Sequence, residues 1–190
     1  ASGAPCTSAS GACGSRTTTA TPSARSTRAL PAISSARSSC TAIEYEGEGE
    51  PDYLVASDFP LQGSSRTQTE QIVAAIRFEL GQREWKAGDY NIGFQSCDDA
   101  TAQAAKWDSG KCSQNANAYA ANDGVIGVIG TFNSGCAAII IPVLNQAADG
   151  GIAMVSPANT YVCLTQGGPG CDTTEPDKYY TSGARNYARV

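Results

Sequence analysis

The sequence predicts an α/β domain built on a doubly wound parallel sheet, preceded by a Ser/Thr-rich tail too poor in large apolar residues to form a core. Three observations predict it. Short runs of strand-like apolar density alternate with stretches of helical periodicity, and the connections between them are short. The most apolar run, VIGVIG at 125–130, reads as a parallel strand buried on both faces.

Residues 1–42 are mostly Ser, Thr, Ala, Gly and Pro, with Arg16, Arg25, Arg28 and Arg37 as their only charges. Such a composition cannot offset the entropy of ordering, so the segment is expected to be a disordered linker or stalk whose hydroxyls would tolerate glycosylation. Residues 43–190 then form one domain. After the acidic connector EYEGEGEPD, YLVASDF at 53–59 is a strand and PLQGSSR a loop. In TQTEQIVAAIRFEL at 67–80, Ile72, Val73, Ile76 and Leu80 recur at helical spacing. A strand at 90–95 runs into the acidic loop around Cys97, a helix covers 113–122, and Asp123-Gly124 turns the chain into 125–130. A third helix starts at Ser134 or Gly135 and runs to Ala147, and IAMVS at 152–156 is a fourth strand. The closing stretch YYTSGARNYARV shows neither a helix cap nor a closing strand, as expected of a piece of a longer chain.

The composition excludes several kinds of chemistry. With no histidine, a Ser-His-Asp arrangement and the commonest zinc ligand are both absent. A net charge of -5 argues against a nucleic-acid surface. No GxGxxG or GxxxxGK[ST] occurs, and no run of 18 apolar residues could span a membrane. No cofactor, metal or catalytic residue is expected. Asp98, Asp99 and Asp108 lack the spacing of a calcium loop and are expected on a solvated face. The eight cysteines, at 6, 13, 40, 97, 112, 136, 163 and 171, include no CxxC pair and point to disulfides in an oxidising compartment. Proximity in sequence suggests Cys97 with Cys112 and Cys163 with Cys171, leaving Cys136 free.

Parallel order gathers three loops at one sheet edge, 58–65, 130–135 and 156–161. The helix beginning near Gly135 offers free N–H groups to an anion, with the Ser134 hydroxyl beside them; Asn133 or Ser134 acting as a plain helix cap is the other reading. In SPANT at 156–160, Thr160 and the Ala158 carbonyl supply a donor and an acceptor, or the segment is an ordinary turn. Asp58 and Gln62 either contact a ligand or fix their own loop.

SDFPLQG, QSCDDATAQ, GVIGVIGTFNSGCA, IPVLN and IAMVSPANT, in this order, resemble the periplasmic binding proteins of type 1, branched-chain amino-acid group. The resemblance runs from about Tyr53 to Val190. It implies the first lobe of a two-lobed protein whose second lobe is absent. Ser134 and Gly135 would lie at the turn that binds a ligand's carboxylate, Ala158 and Thr160 at the loop that holds carboxylate and ammonium, and Leu61, Gly63 and Ser64 beside the side-chain pocket. Gly135 departs from the serine or alanine usual at its position. The function implied is extracytoplasmic solute capture, with an amino-acid-like ligand and an ABC permease as partners, in a protein outside the cytoplasmic membrane whose full-length form is open to lipid anchoring. The alternative is a ligand-sensing domain of a surface receptor or regulator.

Overall fold

The computed structural model describes residues 31–32 and 39–190. Most of the expected disordered tail, with Cys6 and Cys13, lies outside the described residues. The elements are β1 (Tyr53–Phe59), α1 (Arg66–Gln82), β2 (Lys86–Ala87), β3 (Tyr90–Asp98), β4 (Ala100–Thr101), β5 (Lys106–Trp107), α2 (Ser109–Ala120), β6 (Val125–Gly130), α3 (Ser134–Asn145), β7 (Ala153–Ser156) and β8 (Tyr187–Arg189).

Six strands form one sheet in the order β2-β3-β1-β6-β7-β8. All neighbours pair in parallel except β2, which is antiparallel to β3. The expected doubly wound sheet is therefore present, and strand order reverses between β1 and β6. That reversal opens a crevice at the C-terminal strand ends, where such sheets collect ligands.

Strand alternation assigns each side chain a face. Leu54, Ala56 and Asp58 of β1 lie toward α2 and α3, where they share a core with Ala116, Tyr119, Val128, Ile140, Leu144 and Met154. Phe59 lies on the opposite face, in a smaller core with Val73 of α1, Trp85 and Phe94. A register shift at Leu54/Val55, opposite Val125 and Gly127, leaves Ile126 as an extra residue, 44% exposed.

Four expectations are corrected. The 100–107 stretch, expected as loop, folds into the β4–β5 antiparallel hairpin, and α2 begins at Ser109 because Asp108 caps it by accepting a hydrogen bond from Lys111 N (3.0 Å). The last stretch does contain a strand, β8, paired with β7. Cys97 is bonded to Cys40, and Cys112 to Cys136, rather than Cys97 to Cys112 with Cys136 free. Residues 40–44 run antiparallel to β3 and set Cys40 directly opposite Cys97, whereas Cys112 on α2 faces α3. Cys163–Cys171 pairs as expected. Finally, Asp98 and Asp99 are buried rather than solvated, because β3 continues through Asp98 into the interior.

Candidate functional site

The loop after β1 is fixed from below by Asp98. Its Oδ1 accepts hydrogen bonds from Leu61 N (2.8 Å) and Ala100 N (2.8 Å), and its Oδ2 accepts one from Gln62 Nε2 (2.7 Å). Gln62 thus secures its own loop. Gly63 has φ +74, and a Cβ there would sit 1.8 Å from the Ala105 carbonyl oxygen, so the hairpin can lie against this loop only because residue 63 is glycine. Leu61 is half-buried, while Gly63 and Ser64 are exposed at the rim.

After β6 the chain passes Asp58 so closely that a Cβ at Gly130 would lie 2.5 Å from the Asp58 carbonyl oxygen. Asn133 occupies the N-cap position of α3 with extended dihedrals and makes no side-chain capping hydrogen bond. The plain capping reading for Asn133 is therefore not realised. The start of this helix keeps donors for an anion, with the positive end of its dipole behind them. Ser134, half-buried, accepts a hydrogen bond from Tyr161 N (3.2 Å) at Oγ. Gly135 is exposed, yet a Cβ on it would come within 2.6 Å of Trp107 Cζ2. The β5 indole occupies the space that a side chain at 135 would take.

The loop after β7 is tied to the loop after β6 through one buried carbonyl. Thr131 O accepts from Ser156 Oγ (2.8 Å) and Asn159 Nδ2 (2.9 Å). Ser156 Oγ in turn accepts from Ala158 N (3.1 Å) and Asn159 N (2.9 Å), and Asn159 Oδ1 from Tyr187 OH (2.7 Å). With these partners consumed inside, Ala158 is half-buried and Thr160 exposed. The sequence reading missed Thr131, Ser156, Asn159 and Tyr187. Their only signal was polarity at the end of a buried strand.

Tyr161 is held in the same way: its OH donates to Glu175 Oε2 (2.7 Å), while Tyr179 OH (2.6 Å) and Lys178 Nζ (2.9 Å) donate to Oε1. The Tyr179, Lys178 and Tyr161 donors pull the Glu175 carboxyl down to about 2.

Contacts thus link Gly63 to the hairpin, the hairpin to Gly135, and Ser134 to the 156–161 loop, forming a continuous rim. Beneath it lies Asp58, which accepts from Tyr119 OH (2.8 Å) and Asn115 Nδ2 (3.3 Å) and is wholly buried, so it belongs to the core and not to the rim. Asp99 is buried too, and neither of its carboxyl oxygens has a hydrogen-bond partner among the described residues. Burial first, then neighbouring carboxylates, drives the Asp99 carboxyl upward; Asp58 is raised by burial against the opposing pull of Tyr119 and Asn115. Asp99 also lies near Cys112 and Cys136, and Glu175 near Cys163 and Cys171, but in both groups the sulfurs are already joined in disulfides.

No family profile and no curated protein matches the chain. Solved structures do. One described as a branched-chain amino acid ABC transporter from Rhodospirillum rubrum superposes with a TM-score of 0.52 at 17% identity, over 72% of this chain and 33% of that one. The chain has the type 1 periplasmic-binding-protein fold. A leucine-binding protein from Thermotoga maritima superposes with a TM-score of 0.51, also at 17% identity, over 60% of this chain and 30% of its own. This chain therefore spans about a third of the length of either structure. Among the described residues, no helix is long and apolar enough to cross a membrane.

Proposed function

We propose that this chain is the first lobe of an extracytoplasmic solute-binding component of an ABC importer, and that it captures an amino acid or a related small carboxylate at the rim between β1 and β6. The observation that carries the reading is the start of α3, whose N-cap residue makes no side-chain cap and which sits at the reversal of strand order beside Ser134 and the 156–161 loop. The N–H groups at Ser134 and Gly135, together with the Ser134 hydroxyl as a further donor, take the carboxylate. The Thr160 hydroxyl and the Ala158 carbonyl serve the carboxylate and an ammonium, and Leu61, Gly63 and Ser64 border the ligand's side chain. Three disulfides support a location outside the cytoplasmic membrane. A second lobe closes over the ligand and a permease recognises the closed form.

Calorimetric titration of the protein with a panel of amino acids and small carboxylates tests this, repeated on Ser134→Ala and Thr160→Ala. Loss of one charge-assisted hydrogen bond costs about 1.5–3 kcal/mol, so affinity should fall at least about tenfold in each variant. Binding that neither substitution weakens removes the ligand from this rim.

A further inference from the structure

Among the described residues, three buried side-chain nitrogen or oxygen atoms have no hydrogen-bond partner: Asp99 Oδ1, Asp99 Oδ2 and Asn115 Oδ1. All three are acceptors. What such a group lacks is a proton or a cation, and a carboxylate buried without either is costly.

The Asp99 backbone is pinned from two sides. Its N–H donates to Phe59 O (3.1 Å) and its carbonyl accepts from Asp108 N (2.8 Å). Because Asp108 is the N-cap of α2, the Asp99 carboxyl is held beside the first turn of that helix. There a carboxyl oxygen of Asp99, Cys112 Sγ and Cys136 Sγ lie within 4.8 Å of one another, and all three residues are wholly buried. Asn115 follows Cys112 by three positions and so shares its face of α2. Its Nδ2 donates to Asp58 Oδ1 (3.3 Å) and Asp98 O (3.1 Å), which fixes the amide and leaves Oδ1 over.

We propose that reduction of Cys112–Cys136 turns this cluster into a structural site for a thiophilic divalent cation of the zinc class, held by the two sulfurs, Asp99 and Asn115 Oδ1. Thiolates and a carboxylate are ordinary zinc ligands, and a closed set of four protein ligands is the mark of a structural site. Two Zn–S bonds of about 2.3 Å at a tetrahedral angle put the sulfurs roughly 3.8 Å apart, within reach of cysteines whose Cα atoms are 5.6 Å apart. The comparable group of Glu175 with Cys163 and Cys171 differs, since both Glu175 oxygens already accept from Tyr161, Tyr179 and Lys178.

The chemistry balances with a dithiol as reductant: its two electrons and two protons break the S–S bond and leave two thiols, while the dithiol becomes a cyclic disulfide. As the metal binds, the thiols and the Asp99 carboxyl release their protons to solvent. The site is closed, so the metal is taken up as the reduced chain folds. The cation then joins α2 to α3 where the disulfide did, and the two helices are clamped in either redox state. None of this involves a ligand at the rim, and it stands or falls apart from the proposed function.

Thermal unfolding of the full chain, oxidised or reduced with a phosphine, tests the site. With free zinc at about a hundred times its Kd, the midpoint of the reduced chain should rise by roughly 5 °C or more, and that of the oxidised chain should not move. A reduced chain that is unfolded without metal should regain its near-ultraviolet circular dichroism when zinc is added. Competition with a chromophoric chelator should show affinity falling at least about tenfold in Asp99→Asn, whose oxidised form keeps the disulfide. With cobalt in place of zinc, Cys112→Ser/Cys136→Ser should lose one sulfur-bound ion per chain. Zinc that changes neither the stability nor the fold of the reduced chain overturns the proposal, as does equal stabilisation of the oxidised chain or equal affinity in Asp99→Asn. An undiminished cobalt count in the double variant gives the metal to other cysteines and overturns it too.

Discussion

The two faces of the sheet differ more than the alternation of its strands suggests. On the face toward α2 and α3, Leu54, Val128, Ile140, Leu144 and Met154 are all sealed, and Cys112–Cys136 staples the two helices together. On the other face, α1 covers only the β3–β1 half, where Phe59 and Phe94 are buried. Across β7 and β8 the same face is open: Ala153 and Ala188 are exposed, and Val155 is 41% exposed. Whether an apolar strand residue is buried here depends on which helix lies over it. In a doubly wound sheet both faces are covered, whereas here the β7–β8 half of one face has no helix over it among the described residues.

The sharpest way to break this contrast is to delete methylenes on each face. Leu144→Ala should cost about 2–5 kcal/mol in urea-induced unfolding, whereas Val155→Ala should stay within about 1 kcal/mol. Equal losses would mean that something covers β7 in solution. Next in size comes the staple. Its cysteines are separated by 24 positions, so Cys112→Ala/Cys136→Ala should lose about 3.5 kcal/mol in the chain-entropy account. Removing Cys163–Cys171, separated by 8, should cost about 2.5 kcal/mol in the same assay.

The pH dependence of stability also belongs to the sealed face. Asp58 and Asp99 are raised from 3.8 toward about 7 and about 9, chiefly by burial. Between pH 4 and those values the folded chain binds more protons than the unfolded one, so stability is greatest below about pH 4 for these two groups and falls as pH rises. The loss from pH 5 to pH 9 should exceed about 1 kcal/mol, and Asp99→Asn should flatten much of it. A stability that rises over that range would show these carboxyls to be ionised in the fold.

Much of this architecture was readable from periodicity. VIGVIG gave β6 to the residue, and Ile72, Val73, Ile76 and Leu80 gave α1. The β4–β5 hairpin was not legible because two-residue strands carry no period. Nor was the burial of Asp58, Asp98 and Asp99: acidic residues read as surface, and only the path of β3 and the positions of Asn115 and Tyr119 on α2 bring them inside. The Cys97–Cys112 pairing failed for a related reason. Cys97 and Cys112 are near in sequence, but each meets a neighbour that only the three-dimensional path supplies. At the rim, Ser134 and the 156–161 loop were legible as polar breaks after apolar strands, whereas the Trp107 indole over Gly135 was not.

The double acceptance at the Thr131 carbonyl has a consequence for how such a rim could diversify. Ser156 and Asn159 hold the backbone of the last loop from inside, through bonds made in the buried interior. Ala158 and Thr160 hang from that frame without building it. Geometry and chemistry are thereby separable: the displayed residues can be exchanged, changing what the loop presents, while the frame that holds it stays unchanged.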